Sequence, residues 1–260
     1  MTSPYRAAVY ACADASDYPP QLWQILKRFI RQDDAEVLFK AGEYFYYFTR
    51  PQNATRAVAY YRRAAKLGHN EARYRLAYCH EYGFGVRTDL KKARRYYAAA
   101  AENGHHQAAY ALGRFWEYGF GGKRSLKSAC RLYHTAARGG CPEAQNAFAY
   151  CCDQGRGTSR KPQKARRWYT RAAKQGNAQA CNNLGILYRY GQSGLRQCCR
   201  RAEKWFQLAA AAGSLTALYN LGELYEHKKR YRKALKYYRR AAELGDKPSR
   251  RAAAKLQKNR

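Results

Sequence analysis

Tyr82-Gly-Phe-Gly-Val-Arg-Thr-Asp89-Leu-Lys-Lys-Ala-Arg-Arg-Tyr-Tyr-Ala-Ala-Ala-Ala-Glu-Asn-Gly104 is the stretch that decides the fold. It combines a glycine-rich turn, a helix start at Asp89, a helix rich in alanine and tyrosine, and a glycine stop. The same grammar returns at Tyr118-Gly-Phe-Gly-Gly, closing at Gly140, and at Gly155-Arg-Gly-Thr, closing at Gly176. The stops Gly68, Gly104, Gly140, Gly176, Gly213 and Gly245 are 36, 36, 36, 37 and 32 residues apart. So constant a period marks a repeat array, in which each unit buries its apolar face against its neighbours and function resides in a surface.

Outward from that stretch, every unit opens on Ala-x-x-x-Leu or a near equivalent, as in Ala72…Leu76, Ala108…Leu112, Ala144…Phe148, Ala180…Leu184 and Ala217…Leu221. Large residues four positions further on, His80, Trp116, Cys152, Tyr188 and Tyr225, continue one helical stripe. Paired glycines then reverse the chain, Gly83 with Gly85 and Gly119 with Gly121 among them. A second helix starts at a column holding Asn53, Asp89, Ser125 and Lys161-Pro162, and runs on as Ala-x-x-Tyr/Trp-Tyr/Phe. The expected fold is therefore all-α, an α-solenoid of about six two-helix repeats at 34–70, 71–106, 107–142, 143–178, 179–215 and 216–248. Residues 1–33 read as a lead-in with a capping helix at Pro20–Ile30, and residues 249–260 as a polar capping half-repeat begun by Ala252-x-x-x-Leu256.

The pattern Ala72-x-x-x-Leu76, Tyr82-Gly83-x-Gly85-Val86, Asp89, Lys92-Ala93 and Tyr96-Tyr97 through Gly104 is similar to the Sel1-like repeat family, a relative of the tetratricopeptide repeat. The resemblance covers residues ~34–248 in register. It implies a right-handed superhelix with first helices along a concave groove, second helices on the convex side, and work as an adaptor that assembles protein complexes. The sixth repeat departs from the pattern, with Glu226-His-Lys-Lys-Arg-Tyr231 in place of the glycines. At 32 residues between stops it is closer to a tetratricopeptide unit.

Charge is the abnormal quantity. Fifty Lys and Arg against 18 Asp and Glu give a net +32. Residues 1–34 are neutral, so the excess lies on the repeats, and such a surface attracts polyanions or acidic proteins. The second helices carry it in columns. Arg63 and Lys66, Arg95, Arg131 and Arg138, Lys164, Arg167, Arg171 and Lys174, Lys204, and Lys236 and Arg240 form a candidate basic ridge. A merely solvated helix face mixes signs, and this one does not. Repeated Lys/Arg columns hold phosphate or carboxylate and have no base-reading pattern. Tyr74, Tyr110 and Tyr219 share a first-helix column and are candidate groove anchors.

No catalytic constellation, cofactor motif or metal set emerges. Nine cysteines keep no fixed column and read as reduced core thiols. Gly83-x-Gly85 lacks the third glycine of a dinucleotide site. No apolar run reaches the ~18 residues of a membrane span, and no signal segment is recognised, so the expected location is cytoplasmic. The expectation is a non-catalytic scaffold that mediates protein–protein interactions and takes acidic protein partners on its basic surface. The alternatives are an RNA-binding architectural part of a ribonucleoprotein and peripheral binding to anionic membrane.

Overall fold

The computed structural model describes residues 26–27, 30, 34–47 and 53–258. Within them lie thirteen bounded helices and no strand, so the chain is an all-α repeat solenoid. The helices are α1 (Ala35–Tyr47), α2 (Ala54–Lys66), α3 (Asn70–Tyr82), α4 (Leu90–Glu102), α5 (His106–Tyr118) and α6 (Leu126–Arg138). After them come α7 (Pro142–Gln154), α8 (Pro162–Lys174), α9 (Ala178–Tyr190), α10 (Cys199–Ala211), α11 (Leu215–His227), α12 (Tyr231–Glu243) and α13 (Lys247–Lys258). Odd-numbered helices through α11 are the first helices of repeats, and even-numbered helices the second. The chain divides into two compact units at Leu132, within α6.

One packing motif recurs. One aromatic column of the second helices, Tyr61, Tyr97, Tyr133, Tyr169, Phe206 and Tyr238, is at most 1% exposed. It needs a small residue beneath it: a Cβ on Gly42, Gly185 or Gly222 would lie within 2.5 Å of the ring of Tyr61, Phe206 or Tyr238 respectively. Burying a ring of that size is a large hydrophobic gain, so the aromatic–glycine pair fixes how the two helices of a repeat meet.

Helix starts are built as the residue types predict in part. Asp89 Oδ1 accepts from Lys92 N at 2.9 Å, and Ser125 Oγ accepts from Ser128 N at 3.2 Å. Asn53 precedes α2 without a side-chain cap, and Pro162 opens α8. The glycine turns press on the preceding repeat. Gly85 and Gly121 are left-handed, and a Cβ on either would meet the carbonyl of Ala54 or Leu90 at 2.3 Å. Only glycine allows that approach. The sixth repeat reverses without glycine because Lys229 itself adopts φ 56°.

In the first unit, residues up to Leu132, repeats are locked by charged groups. Glu43 is 6% exposed and accepts from Tyr61 Oη at 2.5 Å and from Arg75 of the next repeat at 3.2 Å. Leu26 is fully buried beside Val37 and Ala41, while most of the 20–30 segment expected to cap the array lies outside the described residues. In the second unit, from Tyr133, amides take over: Asn183 donates to Asn146 at 3.1 Å and Asn220 to Asn182 at 2.8 Å. Here α13 buries Ala253 and Leu256 in the same cluster as Leu221, Tyr225 and Tyr238.

Candidate functional site

The second helices present the basic columns to solvent. Arg63, Lys66, Arg95, Arg131, Arg138, Lys164, Arg167, Arg171, Lys174, Lys204, Lys236 and Arg240 are all exposed. On α8, Lys164, Arg167, Arg171 and Lys174 fall at i, i+3, i+7 and i+10, a single stripe about 15 Å long. Two of its members lean on aromatics: the Arg171 guanidinium lies 4.6 Å from the Trp168 ring centre and the Lys164 ammonium 5.1 Å from that of Phe148. Those contacts hold the cations upright at little entropic cost. Arg95, Arg138, Arg167, Lys174, Lys204, Lys236 and Arg240 have no carboxylate partner among the described residues.

Not every basic residue on these helices is available. In the doublets Arg94-Arg95 and Arg166-Arg167, the first arginine serves the scaffold. Arg94 stacks 3.8 Å over Trp116 and donates to the carbonyls of Phe120 and Lys123 in the next turn. Arg166 reaches the carbonyls of Ser193 and Gly194 in the same manner. The second arginine of each doublet stays exposed. One residue of difference on a helix is about 100° of rotation, and it separates a turn clamp from a free cation.

The candidate groove tyrosines are half-buried. Tyr74 stacks on His105 at 4.7 Å and lies 5.8 Å from Tyr97, and Tyr219 lies 5.6 Å from Tyr238. The same column holds Asn146 and Asn182 in the second unit, where it forms the amide ladder. The tyrosines most open to solvent are others, Tyr82, Tyr118 and Tyr190, at 55%, 60% and 56% exposure. Each is the last residue of a first helix, ahead of the left-handed glycine. Their position before that glycine is the signal that sequence reading passed over.

His69 and His105, visible in the sequence only as a shared turn column, are helix caps. Nδ1 of His69 accepts from Ala72 N at 3.1 Å and Nδ1 of His105 from Ala108 N at 3.0 Å. Their Nε2 atoms meet Glu36 at 2.9 Å and Glu71 at 2.7 Å on the first helix of their own repeat, so each histidine ties that helix to the start of the next repeat. The bond from His69 outweighs burial and holds the Glu36 carboxyl below its ordinary 4.5. Burial pulls Glu71 up, yet the His105 bond and charge leave it lowered.

None of the eight described cysteines is in a disulfide, and six of them are buried. Burial pushes Cys79 to about 12 and Cys141 to about 11, far from the thiolate a nucleophile needs. Among the described residues no group of three His, Cys, Asp or Glu side chains could hold a metal ion. No described helix is long and apolar enough to cross a membrane.

The Sel1 repeat model matches residues 35–69, 70–105, 106–141, 142–177 and 178–214. The chain belongs to the Sel1 repeat family. A tetratricopeptide repeat matches 216–245, a unit whose turn has no glycine. Two solved structures are similar to this Sel1 repeat chain. One is a Sel1 repeat protein from Oxalobacter formigenes, 26% identical, with TM-score 0.71 over 78% of this chain and 82% of that one. The other is a protective antigen present in uropathogenic Escherichia coli strains, displaying an SLR fold, 26% identical with TM-score 0.64. That match covers 90% of this chain and 58% of the antigen's length. No curated protein matches the chain.

Proposed function

We propose that this Sel1 repeat chain is a non-catalytic cytoplasmic scaffold that binds an acidic protein partner through the exposed cations of its second helices. The fold supports the coarser half of that statement, since Sel1 and tetratricopeptide repeats are protein–protein interaction scaffolds. The observation that carries the finer half is α8, where four cations share one exposed stripe and two are braced by aromatic rings. A stripe of one sign repels itself, which costs stability unless a partner of opposite charge covers it.

Binding of poly-L-glutamate and of oligouridylate by the 260-residue chain tests this across about 0.05–0.2 M salt. The expected result is polyglutamate binding that Arg167→Glu with Arg171→Glu weakens at least about tenfold, with the helical circular dichroism unchanged. Polyglutamate binding unaltered by the double reversal removes the stripe as the site. Tighter binding of oligouridylate, accompanied by nucleic acid that co-purifies at low salt, replaces the acidic protein with RNA.

A further inference from the structure

A cleft of about 600 Å³ opens between α11 and α13 in the second unit. Tyr219 forms part of its lining, Glu223 and Glu226 stand on the α11 side, and Lys247, Arg251 and Lys255 stand on the α13 side. The two walls differ in what they have left to offer. Glu223 already pairs with Arg189 at 2.8 Å, and Glu226 accepts from Tyr238 Oη at 2.9 Å. Lys247, Arg251 and Lys255 are exposed and, among the described residues, make no hydrogen bond or ion pair. Glu226 keeps its charge, since its partner is a neutral hydroxyl, but three unpaired cations outnumber it and the net unspent charge of the cleft is positive.

Spacing narrows the ligand. The three cations sit at i, i+4 and i+8 of α13, so successive ones rise by about 6 Å along the helix. An extended peptide places every second side chain on one face, about 6.6 Å apart. Acidic residues at alternate positions of an extended segment thus match the cations one to one. The opposite wall distinguishes peptide from nucleic acid. Glu223 and Glu226 retain free lone pairs that backbone N–H groups of a peptide can fill. A phosphodiester backbone has no N–H group to offer those carboxylates and sets its own negative charge against them.

We infer that the cleft between α11 and α13 is a docking site for an extended acidic peptide segment, with alternate carboxylates on Lys247, Arg251 and Lys255 and its backbone toward Glu223 and Glu226. The inference rests on the reading of the chain as a protein-binding scaffold, but on residues separate from the α8 stripe. Lys247 to Lys255 repeat the charge logic of the second helices on a first-type helix, beside a tyrosine.

The test uses a fluorescein-labelled, acetylated peptide of alternating serine and glutamate with three glutamates, read by anisotropy against the 260-residue chain. Its controls are a peptide of the same composition with the glutamates contiguous, and oligouridylate of matched charge. Binding of the alternating peptide should fall roughly tenfold in the triple variant Lys247→Ser, Arg251→Ser, Lys255→Ser, and by a smaller factor in Arg251→Ser alone. It should remain within about twofold in Arg167→Glu, Arg171→Glu, and the contiguous peptide should bind more weakly. Circular dichroism of the single variant guards against loss of fold. Equal binding by the triple variant, equal binding of the contiguous peptide, or tighter binding of oligouridylate overturns the proposal. Loss confined to the α8 double variant overturns it too, while leaving the scaffold reading intact; failure of every acidic probe at every site would sink both.

Discussion

Between Glu36 and Arg114 the junctions of neighbouring repeats are held by carboxylates; between Asn146 and Asn220 they are held largely by amides. Glu36–His69, Glu71–His105, Glu43–Arg75 and Glu81–Arg114 belong to the first set. Asn146–Gln179, Asn146–Asn183 and Asn182–Asn220 belong to the second. All of these partners lie 32 to 38 residues apart, so the helices hold one register under two chemistries. Polarity can even invert: Glu81 faces Arg114 at 3.6 Å, whereas Arg189 faces Glu223 at 2.8 Å in the equivalent columns. The lesson is that the apolar repeat sets the register, and the polar contacts between repeats are interchangeable so long as each buried group finds a partner. They differ in what breaks them, because an orphaned charge costs more than an orphaned amide.

The largest test of that difference is Glu43→Ala. It leaves the Tyr61 hydroxyl without its acceptor and Arg75 with only Glu71, 3.5 Å away, and should destabilise the first unit by about 2–3 kcal/mol. Hydrogen exchange read over α1–α3 checks it, since nearest-neighbour arrays lose protection locally; unchanged protection there would contradict the ion-paired lock. A middle-sized effect comes from the buried tyrosine column. Tyr97 Oη donates to Glu81 at 2.6 Å, whereas Tyr169 donates to no carboxylate among the described residues. Tyr97→Phe should cost about 1–2 kcal/mol and Tyr169→Phe under about 0.5 kcal/mol in denaturant unfolding. Equal costs would mean that the bond to Glu81 adds nothing to the burial of the Tyr97 ring.

The smallest effect is the most specific. His105→Asn installs the type of cap that Asn177 supplies in the second unit, where its Oδ1 accepts from Ala180 N at 2.9 Å. The cap survives but the link to Glu71 and the stacking on Tyr74 are lost, so about 0.5–1.5 kcal/mol should disappear near neutral pH. Glu71 is held below its ordinary 4.5 in the folded chain, so its contribution is fully present above that value and fades as pH falls through the lowered one. Melting temperatures of the parent and the variant should therefore converge on acidification. Parallel curves would show that the His105–Glu71 pair adds nothing.

How far the sequence could be read varies by column. The Ala-x-x-x-Leu openings, the turn glycines, Asp89 and the Ala-x-x-Tyr-Tyr helices are legible because each answers to a local rule of helix period, cap or left-handed turn. The exposure of the second-helix cations follows from the same period. The split of Arg94 from Arg95 does not, since it depends on where the next repeat's turn delivers its carbonyls. His69 and His105 escaped a functional reading for a similar reason. Their second partner lies 33 or 34 residues away, and nothing in a single repeat announces it.

By itself the sequence determined the all-α repeat fold, the Sel1 family and the helices that bear the positive charge. Those are consequences of periodicity and local backbone preference, which any one repeat states in full. Only the tertiary structure decided which arginines are clamps, which tyrosines stay open to solvent, and that three unpaired cations of α13 face Tyr219 across a cleft. Those facts arise where one repeat meets the next, and stacking alone fixes the partners that each side chain finds there.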